Sequence, residues 1–209
     1  LWISPVARAR GGFAQGHVGA AAADAVVTGR RTRAEMTALS TTLVLGGARS
    51  GKSAFAEKLI GDCGLTGIYL ATATAGDDEM KARIAHHRKQ RGEGWVTVEE
   101  PLALVDVLTR EAIHGRAVLV DCLTLWLSNL MLAERDADVE ARRLTRLLGV
   151  LKYPVVLVSN EVGLGLVPET PLGRNFRDAQ GRLNQVVAAA VPNVVFIAAG
   201  LPLWLKRSS

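Results

Sequence analysis

The segment 46–53 carries the most specific chemical pattern in the sequence. Its residues, Gly-Gly-Ala-Arg-Ser-Gly-Lys-Ser, have the spacing G-x-x-x-x-G-K-[ST] of a loop that holds the phosphates of a nucleotide. Small residues let successive backbone N–H groups turn toward an anion, and the positive end of a following helix points at the same charge. The Lys52 ammonium would contact the β- and γ-phosphates, and the Ser53 hydroxyl would reach Mg²⁺. The members of this predicted phosphate loop are Gly46, Gly47, Ala48, Arg49, Ser50, Gly51, Lys52 and Ser53.

A carboxylate at the end of a neighbouring strand would complete such a site. Asp121 follows the uninterrupted apolar run Ala117–Val120, which predicts a strand buried on both faces. Its side chain would therefore lie at the carboxyl edge of the sheet, where open α/β folds bind ligands. We expect Asp121 to share the metal with Ser53, and a simple cap of the next helix is the alternative.

Two adjacent histidines lie on a predicted polar helix over residues 77–91. Because helical neighbours point about 100° apart, His86 and His87 cannot serve one site equally. Arg83 and Arg91 lie four residues to either side of His87, on nearly the same face. A histidine between guanidiniums is suited to attack or hold a phosphate, since the arginines neutralise the developing charge. Spacing alone leaves open a solvated helix face with incidental histidines.

The elements that must position these residues follow from the hydrophobic periodicity, which becomes regular at Thr41. Strands are predicted over 42–45, 68–71, 95–98, 117–120, 154–158 and 194–198. Helices are predicted over 52–60, 77–91, 139–148 and 174–190, with a further helical stretch through Leu132 and Pro101 in the first turn of another. This alternation indicates an α/β fold of the P-loop NTPase type, an open, mainly parallel sheet with helices on both faces.

Composition excludes several classes of protein. The 209 residues are 49% apolar and 22% charged, which favours one globular domain with a substantial core. No apolar run reaches the ~18 residues of a membrane span. The two cysteines, Cys63 and Cys122, cannot form a disulfide framework and indicate a reducing compartment, the cytoplasm. The formal charge of +5 is concentrated in the first 41 residues, so we expect no nucleic-acid partner.

The first 40 residues differ from the rest in being rich in Ala, Gly and Arg, with no sustained period. The chain begins with Leu1, and Met36 lies just before the first predicted strand. Three interpretations are open: a non-native extension from a misplaced start, a native disordered extension, or an Arg-rich targeting peptide. None of them gives the extension a chemical role, and we expect the fold and its chemistry to lie in residues 41–209.

Further motifs continue along the chain, including Tyr-Leu-Ala-Thr-Ala at 69–73 and Ser-Asn-Glu-Val-Gly at 159–163. Others lie at 77–88, 120–124, 167–169, 176–178 and 181–185. With the phosphate loop, this set resembles the bifunctional adenosylcobinamide kinase/adenosylcobinamide-phosphate guanylyltransferase family of cobalamin biosynthesis. The resemblance runs from about Thr42 to the C-terminus without large gaps, and residues 1–40 have no counterpart in it.

The resemblance implies two reactions. A nucleoside triphosphate, ATP or GTP, phosphorylates the aminopropanol hydroxyl of adenosylcobinamide, and GTP then transfers GMP through an enzyme histidine to give adenosylcobinamide-GDP. The second histidine of the family's pair carries the GMP, and it matches His87. The resemblance also implies Mg²⁺ and a homo-oligomer such as a trimer. Residues implied to line the GTP site, besides the phosphate loop, are Ala71, Thr72, Ala73, Arg88, Lys89, Gln90, Arg91, Glu99 and Asp121.

Other interpretations stay open on the residues alone. A P-loop small-molecule kinase without guanylyltransferase activity would leave His87 structural. A nucleotide-binding ATPase acting on DNA or a partner would need a basic face with stacking aromatics, of which residues 42–209 offer little. Asn160 and Glu161 follow a buried strand and could form a turn or contact a phosphate. Arg174, Arg177 and Arg182 could bind a phosphate or pair with Asp178 and Glu169.

Overall fold

The computed structural model describes residues 39–73 and 94–208. The predicted extension lies outside the described residues, apart from Leu39 and Ser40. The predicted helix over 77–91 also lies outside them, and with it His86, His87 and the arginines around them.

The described residues form strands and helices in alternation. The strands are β1 (Thr42–Gly46), β2 (Thr66–Ala71), β3 (Trp95–Glu99), β4 (Arg116–Asp121), β5 (Val155–Asn160), β6 (Asn193–Ala198) and β7 (Leu201–Lys206). The helices are α1 (Lys52–Gly61), α2 (Leu104–Glu111), α3 (Leu123–Leu132), α4 (Ala137–Leu148) and α5 (Pro171–Ala190).

The seven strands make one sheet in the order β3-β2-β4-β5-β1-β6-β7. Every neighbouring pair is parallel except β6 and β7, which are antiparallel. The predicted fold class, an open and mainly parallel α/β sheet, is confirmed. The phosphate loop follows β1, which lies between the parallel strands β5 and β6. The carboxyl ends of these strands therefore lie at the same edge of the sheet as the loop.

Helices cover both faces of the sheet, because successive side chains of a strand point in opposite directions. On one face Leu43 of β1 belongs to a buried cluster with apolar residues of α2, α3, α4 and α5. On the other face Val44 packs in a second cluster with Ala56 and Ile60 of α1. Both strand residues are fully buried, as expected of a two-sided parallel sheet. In the described ranges, no helix has the length and apolarity to cross a bilayer.

Strand β7 was not predicted. Leu201, Leu203 and Leu205 are exposed, so the segment lacks the buried face by which a strand is recognised. Pro202, which is uncommon inside strands, further weakens the pattern. Strand β7 forms the edge of the sheet and pairs with β6 through a tight turn at Ala199–Gly200, where both residues have positive φ. The two-residue turn ending in Gly is the signal that could have identified this hairpin.

Three helix starts differ from the prediction, and the smallest difference is that α4 begins at Ala137 and not at Val139. Helix α5 begins at Pro171, three residues early, because the Thr170 hydroxyl accepts a hydrogen bond from the Gly173 N–H and Pro fits the first helical position. The placement of Pro101 in a first helical turn is wrong, since α2 begins at Leu104. The Glu100 carboxylate accepts backbone N–H groups from the next two non-proline residues, which holds a turn there before the helix.

Candidate nucleotide-binding site

The phosphate loop leaves β1 at Gly46 and enters α1 after Gly51. A Cβ on Gly46 would lie 2.7 Å from the carbonyl oxygen of Ile197, which is closer than side chains tolerate. Gly51 has φ 94°, and a Cβ there would lie 3.2 Å from Cα of Gly200 in the β6–β7 turn. Both positions therefore require glycine for reasons of backbone approach and conformation. The turn supports the loop directly, since the Gly200 N–H donates to the Ser50 carbonyl at 2.8 Å.

Donor groups at the start of α1 suit an anion. The helix has no acidic residue in its first turn, and Gly51 provides no side-chain cap. Its first backbone N–H groups, which have no partners within the helix, point out of the N-terminus and add to the positive end of the helix dipole. The Ser50 hydroxyl is buried without a hydrogen-bond partner in the described part of the chain. A loop of this kind fits a phosphate group.

The Lys52 side chain folds back over the phosphate loop. Its ammonium donates to the Gly47 carbonyl at 3.0 Å and is half-buried. Lys52 thus carries a positive charge at the phosphate loop, where a phosphate chain would need it.

The Asp121 carboxylate is held by a tyrosine of the adjacent strand. Ala71 lies opposite Asp121 in the β2–β4 register, so Tyr69 lies diagonally across on the same face. Its phenol donates to Asp121 Oδ2 at 2.8 Å. Tyr69 packs in the cluster beneath α1, which places Asp121 on the same face as that helix. This contact, between residues 52 positions apart, was not foreseen from the sequence.

Thr72 ties the ends of β2 and β4 together. Its hydroxyl donates to the Cys122 carbonyl at 2.7 Å and accepts from the Cys122 N–H at 2.9 Å. Asn129 of α3 donates to the Thr72 carbonyl at 2.7 Å. The side chain of Thr72 is fully buried, so these contacts set the spacing between the two strand ends. A contact of Ala71, Thr72 or Ala73 with nucleotide stays a prediction.

The carboxyl edge of the sheet collects the described residues of the predicted site. Glu99 ends β3 opposite Ala71 and is exposed, and Asp121 ends β4 on the other side of β2. The phosphate loop begins two strands further along, after β1. His87, Arg88, Lys89, Gln90 and Arg91 lie outside the described residues.

Asn160 ends β5, the strand between Asp121 and the phosphate loop. It lies opposite Gly46 in the register. Its N–H donates to the Thr124 hydroxyl at 2.9 Å, and its carbonyl accepts from Asn184 at 3.1 Å. Its backbone is therefore fixed, while its carboxamide makes no hydrogen bond within residues 39–73 and 94–208. Glu161 forms the turn, since its carboxylate accepts the Gly163 N–H at 2.6 Å.

Comparison with known proteins assigns the chain to a family. The sequence profile of the cobinamide kinase / cobinamide phosphate guanyltransferase family matches residues 42–205. The chain belongs to this family. It is 52% identical over 166 residues to the bifunctional adenosylcobalamin biosynthesis protein CobP of Pseudomonas aeruginosa, covering 78% of this chain and 96% of that protein. It is 41% identical over 179 residues to the bifunctional adenosylcobalamin biosynthesis protein CobU of Escherichia coli, covering 78% of this chain and 98% of that protein.

A buried polar network supports the β5 end in this cobinamide kinase family member. The Ser159 hydroxyl donates to Asn184 Oδ1 at 2.7 Å, and Gln180 Nε2 donates to Ser159 Oγ at 2.9 Å. All three side chains are buried between β5 and α5. Gln180 and Asn184 lie four residues apart on the face of α5 that packs against the core. The sequence analysis did not single out this polar pair.

The Cys122 thiol, next to Asp121, is buried. Burial first, and then the negative charge of Asp121, raise the pKa of Cys122 to about 11. Burial likewise raises the pKa of Cys63, whose Sγ donates to the Ile60 carbonyl. A thiol that keeps its proton is a poor nucleophile. Neither cysteine is therefore suited to carry a covalent intermediate.

Replacing Tyr69 by Phe tests whether the phenol orients a metal-binding carboxylate. The ring keeps its packing, but Asp121 loses the hydrogen bond that positions it. We expect the Mg²⁺ concentration for half-maximal phosphorylation to rise roughly tenfold, the usual effect of losing a group that orients a metal ligand. Titration of the initial rate with MgCl₂ measures this.

Tyr153→Phe is the matched control for that titration. Tyr153 is half-buried, and it precedes β5 at the opposite end of the strand, where its ring packs edge-on against His114. Its substitution should leave the Mg²⁺ dependence unchanged. An unaltered Mg²⁺ dependence in the Tyr69 variant would show that the phenol serves only to stabilise the fold.

Proposed function

We propose that this protein phosphorylates the aminopropanol hydroxyl of adenosylcobinamide with a nucleoside triphosphate, and then transfers GMP from GTP to the new phosphate. The product is adenosylcobinamide-GDP. The single observation that carries the proposal is the family match over residues 42–205, which includes the phosphate loop and the Asp121 strand. Three features of the site support the proposal: the phosphate-loop backbone that requires glycine, the charge of Lys52, and the Asp121 carboxylate at the same edge of the sheet.

For the phosphorylation step, the phosphate loop binds the triphosphate and Lys52 neutralises charge that develops on the transferring phosphoryl group. The acceptor hydroxyl oxygen forms the new bond to the γ-phosphorus, and the bond from that phosphorus to the β–γ bridging oxygen breaks, which releases the nucleoside diphosphate. The hydroxyl proton passes to water. Asn160 is positioned to orient a phosphate oxygen or the acceptor hydroxyl, because its backbone is fixed beside Gly46.

The donor set at the sheet edge fits Mg²⁺. Ser53 and Asp121 would offer oxygen ligands, which Mg²⁺ prefers, and its remaining positions are usually taken by phosphates and water. When bound, Mg²⁺ offsets the negative charge of the phosphates.

For the guanylyl transfer, we assign His87 as the nucleophile. A ring nitrogen forms a bond to the α-phosphorus of GTP, and the bond to the leaving pyrophosphate breaks. A phosphate oxygen of adenosylcobinamide phosphate then attacks the same phosphorus and releases the histidine. Residues proposed to line the GTP site are the phosphate loop, Ala71–Ala73, Arg88–Arg91, Glu99 and Asp121.

Two-stage incubation of the full chain tests the function. With adenosylcobinamide, Mg²⁺ and ATP alone, we expect the corrinoid to gain one phosphoryl group, measured by chromatography with mass detection. Adding GTP should convert this product into adenosylcobinamide-GDP with release of pyrophosphate. A protein that stops at the phosphate in the presence of GTP is the kinase-only alternative, and hydrolysis of ATP without corrinoid turnover would favour the ATPase alternative.

The setting of the enzyme is also part of the proposal. We propose that residues 41–209 are the catalytic domain, that it works in the cytoplasm without nucleic acid, and that it assembles as a homo-oligomer such as a trimer. Two buried thiols suit a reducing compartment.

A further inference from the structure

The segment between β5 and α5 exposes aliphatic side chains at the site edge. Leu164 is 81% exposed, Leu166 96% and Val167 65%, and Leu172 in the first turn of α5 is 67% exposed. We call these four residues the apolar loop surface. Clustered exposed apolar residues mark interaction sites, and this cluster, unlike the exposed leucines of β7, belongs to the segment that leaves the sheet beside the phosphate loop.

The backbone around this surface is held in place. The Glu161 carboxylate fixes the Gly163 N–H at its start. At its end the Arg174 guanidinium donates to the carbonyls of Pro168 and Glu169 at 3.0 and 2.7 Å. Arg174, one of the arginines left undecided by sequence, therefore binds backbone carbonyls at this position. A surface held by its own hydrogen bonds loses little conformational entropy when it binds a ligand.

The apolar loop surface begins beside the phosphate loop. The Glu161 N–H donates to the Gly46 carbonyl at 3.1 Å, so the segment leaves the sheet next to the first residue of that loop. An acceptor hydroxyl must come within about 3–3.5 Å of the phosphorus it attacks. The rest of a large acceptor must then extend outward over neighbouring parts of this edge.

We propose that the apolar loop surface binds the corrinoid ring system of the acceptor. This inference rests on the proposed function and deepens it by naming the acceptor-binding residues. A corrinoid has a broad macrocycle with peripheral methyl groups, which would cover Leu164 and Leu166 and remove their apolar area from water. Its hydroxyl-bearing arm would reach back past Asn160 to the phosphate loop.

The test is the double substitution Leu164→Ser and Leu166→Ser in the full chain, with adenosylcobinamide varied at saturating ATP. Both side chains project into solvent, so folding should be unaffected. We expect KM for adenosylcobinamide to rise about 10- to 100-fold, with little change in kcat, because two large apolar contacts are lost. Binding of GTP without corrinoid should stay the same. Leu164→Met with Leu166→Met should keep KM within about twofold, since the apolar area is retained.

Leu203→Ser with Leu205→Ser is the matched control, because these leucines are also exposed and two positions apart, on β7. Its KM should equal that of the wild type. An unchanged KM in the active Leu164/Leu166 variant overturns the loop assignment. A change in the oligomeric state of that variant, measured by sedimentation, also overturns it, because the two leucines would then form a subunit contact. A wild-type chain that converts no adenosylcobinamide contradicts the proposed function itself.

Discussion

We expect Lys52→Met to lose nearly all nucleotide-dependent phosphorylation while the protein stays folded. The substitution keeps an unbranched apolar side chain at the start of α1 but removes the ammonium that lies 3.0 Å from the Gly47 carbonyl. Without the ammonium, no lysine charge at the loop neutralises the negative charge that develops on the phosphates. We expect kcat/KM for ATP to fall by about 10³-fold, the scale of removing one charged group from a phosphoryl-transfer site. Initial rates of adenosylcobinamide phosphorylation measure the loss, and thermal unfolding checks the fold.

Lys58→Met is the control on the same helix. Lys58 is exposed and forms only a surface ion pair with Asp62 at 3.0 Å, a class of contact with little effect on stability. Its variant should phosphorylate at the wild-type rate. Near-normal turnover by the Lys52 variant would mean that the phosphate loop is not the site of phosphoryl transfer.

We expect incubation with GTP labelled at the α-phosphate to leave the label on His87, the proposed nucleophile. The bond formed is a phosphoramidate, which is stable to alkali and broken by acid. His87→Ala should lose all label on a denaturing gel, because no nucleophile remains for the α-phosphorus. Kinase activity should largely survive, since transfer of a phosphoryl group to a hydroxyl needs no enzyme nucleophile.

His86→Ala is the matched control, because the adjacent side chain points about 100° away on the predicted helix. It should keep its label. Label retained by the His87 variant, or a linkage that resists acid, would contradict the assignment and leave the enzyme as a kinase alone.

Local patterns in the sequence were enough to predict the parts of the site that depend on near neighbours. The phosphate loop and the helix after it lie within some fifteen residues, so spacing and residue size determine them together. Asp121 was placed at the sheet edge because an apolar run ends there, and the structure has β4 ending at Asp121. The order of strands and helices followed in the same way from hydrophobic periodicity. The exception is β7, whose leucines are exposed and do not alternate with polar residues in the pattern of a half-buried strand.

Tertiary structure decided how the site is supported, because those contacts join residues far apart in the chain. The pairing of Tyr69 with Asp121 depends on the register of β2 against β4, and the bonds of Thr72 to Cys122 depend on the same register. The contact of Gly200 with the phosphate loop requires a hairpin at the opposite end of the chain. Side-chain periodicity reports which face of an element is buried, but it carries no information about which strand lies alongside. That choice is made only when the whole sheet packs.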